Sequence, residues 1–163
     1  MSHPVAPLLV FGWGNPSRGD DALGPLLVER LQRHALATLP PGRLDCLTDF
    51  QLQVEHALDL VGRERVLFVD AAQDLDQPFA VRNLCASRGA GISSHALAPD
   101  AVLQVYQDLH GQPPPPATLL AIRAQTFGLG EAPGAAALAD LALALLWAQA
   151  WLANPAAVAQ TPA

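Results

Sequence analysis

The chain of 163 residues contains no lysine, and its nine basic residues, all arginine, do not form a run. Fifteen acidic residues give the chain a formal net charge of -6. Binding to a nucleic acid backbone or to an anionic membrane surface requires clustered positive charge. The composition therefore argues against both kinds of partner.

Cysteine is scarce as well. Cys46 and Cys85 lie far apart in the sequence and belong to no C-x-x-C pattern, so they indicate neither a disulfide framework nor a zinc site. We expect both to be small, buried apolar residues. The opening residues Met1-Ser2-His3-Pro4 lack the charged and apolar regions of a signal peptide, and we expect a cytoplasmic protein.

Only one apolar segment, Ala135 to Leu152, is long enough to raise the question of a membrane span. It is rich in alanine and contains Asp140. A carboxylate near the middle of a span costs roughly 3 kcal/mol on insertion scales. We therefore expect a buried terminal helix and no membrane association.

Short apolar runs alternate with segments of helical periodicity along the whole chain. This alternation predicts an α/β fold with three layers, in which a twisted, mostly parallel sheet carries helices on both faces. We expect a single domain over residues 1–154 and a disordered tail over residues 155–163. The predicted strands cover residues 8–11, 43–47, 66–69, 79–85 and 119–124. The helix predicted over residues 53–61 is expected to bury Val54, Leu58 and Val61 and to expose His56.

The most informative stretch follows the first predicted strand. Gly12-Trp13-Gly14 ends that strand, a short turn follows, and Asp20-Asp21 open a helix. Open α/β sheets place their sites at such strand-to-helix turns. A helix N-terminus also favours ionised carboxylates, which attract cations and basic groups. One of the two aspartates is equally suited to be the N-cap of the helix.

Three side chains capable of chemistry occupy equivalent places in this pattern. Asp21 follows the first strand, Asp70 follows a strand at residues 66–69, and His95 lies in a loop before a helix. Two carboxylates and one imidazole suit nickel, zinc or iron better than magnesium or calcium. Asp21 and Asp70 also form a possible acid/base pair. Purely structural roles stay open: Asp21 as a helix cap, Asp70 as a strand end and His95 as a surface histidine.

Two other kinds of site are disfavoured. Gly12-Trp13-Gly14 begins a dinucleotide-binding pattern, but Ser17 stands where the third glycine is needed. Ser94 lies beside His95, but no nucleophile-elbow pattern surrounds it. The sequence therefore favours a carboxylate site over a phosphate-binding loop or a serine nucleophile.

Several motifs of the sequence resemble those of a known protein family. The pattern Gly12-x-Gly14-Asn15 followed by Asp20-Asp21-x-x-Gly24 is similar to the opening motif of the nickel-iron hydrogenase maturation endopeptidases. The resemblance extends in order over about residues 8–152, through Val69-Asp70-Ala71, Ser94-His95, Leu120-Ala121-Ile122 and Phe127-x-x-Gly130-Glu131. Residues 49–60 further resemble the branch that matures NAD-reducing, or bidirectional, hydrogenases.

The resemblance implies an endopeptidase that removes a C-terminal extension from the hydrogenase large-subunit precursor once nickel has been inserted. It implies that nickel is the recognition signal and is contacted by Asp21, Asp70 and His95. The precursor would contribute this nickel, and the free enzyme would bind it weakly. The first ligand is often glutamate in the family, and Asp21 is one methylene shorter.

The resemblance also implies roles in catalysis and substrate binding. Asp21, Asp20 and Asp70 are the catalytic candidates, with Asp20 or Asp21 as the general base of an aspartic-type or nickel-assisted peptidase. The positions expected to bind substrate are Gly14, Asn15, Asp49 and Ser94. A non-cleaving checkpoint or chaperone for the large subunit would need the same ligands, so this alternative stays open, as does a small-molecule metallohydrolase. We expect a monomer.

Overall fold

The computed structural model describes residues 4–88 and 97–153, so the predicted site residues Ser94 and His95 and the predicted tail lie outside the described residues. Its strands are β1 (Leu8–Trp13), β2 (Leu44–Asp49), β3 (Arg65–Ala72), β4 (Phe79–Leu84) and β5 (Ala117–Arg123). Its α-helices are α1 (Leu23–Thr38), α2 (Pro99–His110) and α3 (Ala135–Ala153). Two 3-10 helices cover Gly19–Ala22 and Val54–Leu60.

The strands form one sheet in the order β2-β1-β3-β5-β4. All neighbouring strands are parallel except β4, which pairs antiparallel with β5 at one edge. After β1 the chain forms β2 on one side of β1 and then crosses back to form β3 on the other side of β1. Ligand sites of open sheets lie outside the carboxyl ends of the two strands at such a switch point. The topology therefore predicts a ligand site at the carboxyl ends of β1 and β3.

Helices cover both faces of the sheet, which confirms the predicted three-layer α/β architecture. On one face α1 and α3 pack against alternate residues of the central strands, among them Val10, Val69 and Ile122. On the other face α2 and the 3-10 helix Val54–Leu60 cover Phe11 and Phe68. The central strands carry apolar side chains on both faces of the sheet because both faces are buried.

Two glycines allow α1 to begin in backbone contact with the sheet. A Cβ at Gly12 would lie 2.6 Å from the carbonyl oxygen of Gly24, and a Cβ at Gly24 would lie 2.5 Å from that of Trp13. No larger residue fits this approach without displacing backbone. The contact fixes the start of α1, and with it the preceding Asp20 and Asp21, at the end of β1.

The predicted terminal helix is present as α3. By length and composition it is the one helix of the described chain that could cross a membrane. In the fold it packs against α1 and β5, and Leu141 and Ala144 are fully buried. Asp140, only 7% exposed, accepts two hydrogen bonds from Arg123 of β5, from Nε at 2.9 Å and from Nη2 at 3.2 Å. This partly buried ion pair joins α3 to the sheet.

The segment after β2 differs from its prediction. Val54, Leu58 and Val61 are exposed, whereas Ala57 and Leu60 are buried. The prediction assumed an α-helix, but a 3-10 helix has three residues per turn and places positions 57 and 60 on one face.

His56, the two cysteines and the helix cap also differ from what the sequence predicts. The His56 side chain is only 12% exposed because it packs 4.5 Å from the Phe11 ring. Cys85 is exposed, while Cys46 is half-buried, and burial together with the charge of Asp45 raises the pKa of its thiol to about 11. Neither aspartate caps a helix through its side chain, since the capping positions fall on Arg18 and Ala22.

Candidate active site

A cleft of ≈ 350 Å³ opens at the carboxyl ends of β1 and β3, at the switch point of the sheet. Residues from the β1 turn, from the segment after β2 and from the end of β3 surround it. They are Trp13, Asn15, Arg18, Asp21, Phe50, Gln51, Leu52, Asp70 and Ala71. The structure therefore brings Asp21 and Asp70 together in one cleft, although 49 positions separate them in the sequence.

Asp21 is held by the turn that precedes it. The backbone N–H of Asn15 donates to Asp21 Oδ2 at 2.6 Å, and the Asn15 side chain in turn accepts the N–H of Ser17 at 2.9 Å. At Gly14, which has a φ of 146°, an added Cβ would overlap the carbonyl oxygen of Asp21. Gly14 and Asn15 thus fix the position of Asp21.

Asp70 lies near the end of β3, in a less polar environment. Burial raises the pKa of its carboxyl to about 7, and the negative charge of Asp21 acts in the same direction. Hydrogen bonds from the Ala71 N–H and the Trp13 side chain oppose this rise without cancelling it. A carboxyl group with a pKa near neutral can both accept and donate a proton at physiological pH.

Asp20 faces away from the cleft. It is 2% exposed, and its carboxylate accepts backbone N–H groups of Gln125 at 2.8 Å, Thr126 at 3.1 Å and Gly134 at 2.8 Å. Burial alone would raise the pKa of this carboxyl, but these three hydrogen bonds, together with one from the Thr126 side chain, outweigh it and lower the pKa. We therefore place Asp20 among the residues that shape the site and not among those that face a substrate.

The segment that Asp20 holds carries the late motif Phe127-x-x-Gly130-Glu131. Further backbone hydrogen bonds join it to the turn before Asp21, from Gly19 N–H to Glu131 O at 2.9 Å and from Gly130 N–H to Ser17 O at 2.6 Å. This motif therefore supports the turn that carries Asp21. Sequence reasoning missed the connection because it spans more than one hundred positions, although both motifs belong to the same resemblance.

A smaller pocket of ≈ 280 Å³ adjoins the cleft. Its lining comprises Gly14, Pro16, Pro25, Thr48, Asp49 and Phe50. Phe50 belongs to both cavities and is 65% exposed. The predicted substrate-binding residues Gly14 and Asp49 line this pocket, and Asn15 lines the main cleft.

His56 supports the site through Asp49, a role that the sequence did not reveal. Its Nδ1 accepts the backbone N–H of Gln53 at 2.8 Å, so a neutral ring carries its proton on Nε2. That nitrogen lies 3.2 Å from Asp49 Oδ2, while Asp49 Oδ1 accepts the Phe50 N–H at 2.6 Å. His56 thereby orients Asp49 and, through it, the segment that separates the two cavities.

Asp21 and Asp70 could hold a metal ion only together with further ligands. Within residues 4–88 and 97–153, no three histidine, cysteine, aspartate or glutamate side chains are grouped as a metal site. The predicted third ligand, His95, is outside these ranges. The described chain thus supplies two carboxylates, which suits an ion whose other ligands come from elsewhere.

Comparison with known proteins supports the fold independently. No family model and no curated protein matches the sequence. The structure resembles the [NiFe] hydrogenase maturation protease HycI from Thermococcus kodakarensis, with a TM-score of 0.69 and 23% identity over 90% of this chain and 92% of that one. It also resembles the hydrogenase maturating endopeptidase HybD from E. coli, with a TM-score of 0.73 and 22% identity over 91% and 93%. A hydrogenase 3 maturation protease aligns over 91% and 93% at 17% identity and a TM-score of 0.63.

These structural similarities extend over nearly the full length of each compared protein. At such identities they establish the fold, so the chain has the fold seen in hydrogenase maturation proteases.

Proposed function

We propose that this protein is an endopeptidase that removes the C-terminal extension of a nickel-iron hydrogenase large-subunit precursor after nickel insertion. The observation that carries the proposal is the meeting of Asp21 and Asp70 in one cleft at the switch point of the sheet. The fold is that of proteins named as hydrogenase maturation proteases, which supports the same reaction. The resemblance of residues 49–60 favours the branch that serves NAD-reducing hydrogenases.

Nickel in this proposal belongs to the substrate. Asp21 and Asp70 offer carboxylate oxygens to the nickel of the precursor, and His95 is proposed as the third ligand. Because the described chain contributes only two carboxylates, the precursor's own ligands complete the coordination. The free enzyme should therefore bind nickel weakly.

Hydrolysis needs a group that takes a proton from the attacking water and a group that returns one to the leaving nitrogen. The hydrogen bonds to Asp20 remove it from this task. The general base is therefore Asp21 or Asp70, which face the cleft together. The environments of the two carboxyl groups differ. Asp21 accepts a hydrogen bond from the Asn15 backbone N–H, while burial favours the protonated form of Asp70. Such a difference between paired carboxyls is typical of aspartic-type acid/base catalysis.

The precursor's polypeptide is proposed to lie along the rim of the cleft. Gly14, Asn15 and Asp49 line the two cavities, and the resemblance adds Ser94. The Trp13 turn and the segment at residues 87–94 are proposed to contact the precursor's C-terminal region. A cytoplasmic location and a monomeric enzyme complete the proposal.

The first experiment compares nickel-loaded and nickel-free precursor as substrates, with intact-mass spectrometry as the readout. Loss of a C-terminal peptide from the nickel-loaded form alone supports the proposal. Asp21→Ala, Asp70→Ala and His95→Ala should abolish this loss, whereas Glu29→Ala on the exposed side of α1 should retain it. Binding without any change of mass would favour the non-cleaving checkpoint instead. Absence of both binding and cleavage with a cognate precursor would contradict both functions.

A further inference from the structure

Within residues 4–88 and 97–153, the outer edge of β2 has no partner strand. Among these residues β2 pairs with β1 alone, and the hydrogen bonds at its two ends show which way its backbone groups face. The carbonyl of Arg43 accepts the Leu8 N–H at 3.2 Å, and that of Asp49 accepts the Gly14 N–H at 3.0 Å. The backbone groups of successive residues in a strand point alternately to its two sides. The N–H and C=O groups of Asp45 and Leu47 therefore also face β1.

The other three residues of β2 direct their N–H and C=O groups outward. They are Leu44, Cys46 and Thr48, and we call their backbone groups the β2 edge. In the described part of the chain these groups make no hydrogen bond outside the sheet. The helices lie on the faces of the sheet and not against this edge.

Free edges are often protected from pairing by charged side chains. β2 contains two charged residues, and each is bound to a partner within the fold. Asp45 accepts a hydrogen bond from Arg63 at 2.5 Å, and Asp49 Oδ2 lies 3.2 Å from His56 Nε2. Both carboxylates are therefore engaged in contacts within the fold.

The β2 edge leads directly into the candidate active site. Thr48 and Asp49 end β2 and line the smaller pocket, and Phe50 continues from that pocket into the cleft with Asp21 and Asp70. A strand of six residues extends roughly 17–20 Å. An extended polypeptide bound along this edge would therefore have several residues aligned before it reached the carboxylates.

We propose that the β2 edge binds an extended segment of the precursor next to the scissile bond, by adding it to the sheet as a sixth strand. This inference rests on the proposed peptidase function and assigns a binding surface to the same site. Main-chain hydrogen bonds contribute affinity in this mode of recognition, and side-chain pockets contribute selectivity. The pocket at Thr48 and Phe50 is placed to receive one of the segment's side chains.

The first test removes one outward N–H without disturbing the pairing of β2 with β1. Cys46→Pro does so, because the Cys46 N–H points away from β1 and proline is tolerated on edge strands. Cys46→Ala removes the same thiol but keeps the N–H. Asn83→Pro places proline at an outward position of β4, the opposite edge, as the register with β5 shows.

The expected result is a rise in KM for the nickel-loaded precursor of about tenfold in Cys46→Pro, with kcat unchanged. Cys46→Ala and Asn83→Pro should keep the KM of the wild type. Thermal melts of all three variants show whether the fold is retained. A folded Cys46→Pro variant with the KM of the wild type would overturn the inference.

A second test uses the wild-type protein and so does not depend on how Cys46→Pro folds. A synthetic peptide that spans the cleavage junction is titrated into the protein, and backbone amide resonances are followed by NMR. The Leu44, Cys46 and Thr48 amides should shift, and those of Asp45 and Leu47 should shift less. Two further peptides carry N-methyl groups on alternate backbone nitrogens, one peptide at the odd positions and the other at the even positions. Only one of these two sets of N–H groups would face β2, so only one of the two peptides should fail to shift the three amides.

The outcomes separate this inference from the proposed function. If the wild type fails to cut the precursor, the proposed function fails. If it cuts the precursor but the junction peptide leaves the three outward amides unshifted, the β2 edge is not the binding surface. A dimer in sedimentation experiments that Cys46→Pro converts to a monomer would assign the edge to a second copy of this chain and overturn the inference.

Discussion

Asp20 and Asp21 are adjacent in the sequence, yet their carboxylates point to opposite sides of the same turn. Asp21 faces the cleft with Asp70, while Asp20 is buried against the segment at residues 124–134 and accepts three of its backbone N–H groups. The adjacent pair thus combines a group available to a substrate with a group that secures the loop behind it.

Asp20→Ala should destabilise the protein strongly. The substitution leaves the N–H groups of Gln125, Thr126 and Gly134 without their common acceptor, and buried unpaired donors are costly. We expect a loss of about 2–4 kcal/mol in the free energy of unfolding, measured by urea denaturation at pH 7. Asp21→Ala, which removes a single hydrogen bond, should lose much less. Equal losses in the two variants would contradict the role assigned to Asp20.

The contribution of Asp20 to stability should also depend on pH. Its folded-state pKa is lowered, so the unfolded state binds the proton more readily. The stabilisation is therefore present above the unfolded pKa of about 4 and is lost as the pH falls through the lower, folded-state value. Urea denaturation from pH 7 down to pH 2 should show the wild type and Asp20→Asn converging in stability. A difference that stays constant across this range would exclude the ionised form as the source of the stabilisation.

Asp70 should behave in the opposite way, because burial raises its folded-state pKa to about 7. Between about pH 4 and pH 7 the folded state holds a proton that the unfolded state has lost, so the contribution of Asp70 to stability falls as the pH rises. Asp70→Asn removes this ionisation. At pH 8 we expect the variant to be about 1–3 kcal/mol more stable than the wild type, with the difference shrinking toward pH 4.

The same variant should lose peptidase activity, since its amide neither takes up a proton nor offers an anionic ligand. Chemical denaturation at several pH values and the precursor assay together test the prediction. Glu29→Gln, an exchange on the exposed side of α1, is the matched control and should show neither effect. An Asp70→Asn variant that is less stable than the wild type at pH 8 would show that the ionised carboxylate is favourably held.

The sequence was sufficient to predict the sheet and to place Asp21 and Asp70 at one edge of it. Strand ends follow from short apolar runs, and parallel topology brings their carboxyl ends together. The orientation of single side chains was less accessible. The 3-10 helix at Gly19–Ala22 separates the directions of Asp20 and Asp21, and the hydrogen-bond partners of Asp20 lie more than one hundred positions away. Both features depend on tertiary contacts that hydrophobic periodicity does not encode.

His56 illustrates the same limit. Its helix was predicted with α-helical periodicity, which would have exposed the imidazole, whereas the 3-10 geometry turns it toward Phe11 and Asp49. A role in orienting Asp49 could therefore emerge only from the structure.

Gly24→Ala should displace the start of α1 from the sheet. The added Cβ would lie 2.5 Å from the Trp13 carbonyl oxygen and 3.0 Å from that of Val69, and backbone atoms cannot yield as a flexible side chain can. We expect a loss of about 1–3 kcal/mol in stability and reduced cleavage, because α1 begins only two residues after Asp21. Gly134→Ala is the control, since its nearest neighbour would be Asp20 Oδ1 at 3.7 Å. A Gly24→Ala protein with wild-type stability would show that the helix and the sheet can separate freely.

Two substitutions of His56 should separate its two hydrogen bonds. The Asn side-chain oxygen in His56→Asn can replace Nδ1 as acceptor for the Gln53 N–H but does not reach Asp49. The longer Gln side chain in His56→Gln can still donate to Asp49 but leaves the Gln53 N–H without its acceptor. If His56 acts by orienting Asp49, His56→Asn should raise KM for the precursor several-fold at nearly constant kcat, and His56→Gln should retain more of the wild-type KM.

Stability provides the contrasting measurement for this pair. Each variant loses one hydrogen bond, which is worth about 0.5–1.5 kcal/mol, so both should unfold at similarly reduced urea concentrations. A KM that simply followed stability in the two variants would indicate that His56 only supports the fold. A KM that separates the variants at equal stability would instead identify the Asp49 contact as the means by which His56 prepares the rim of the cleft for its substrate.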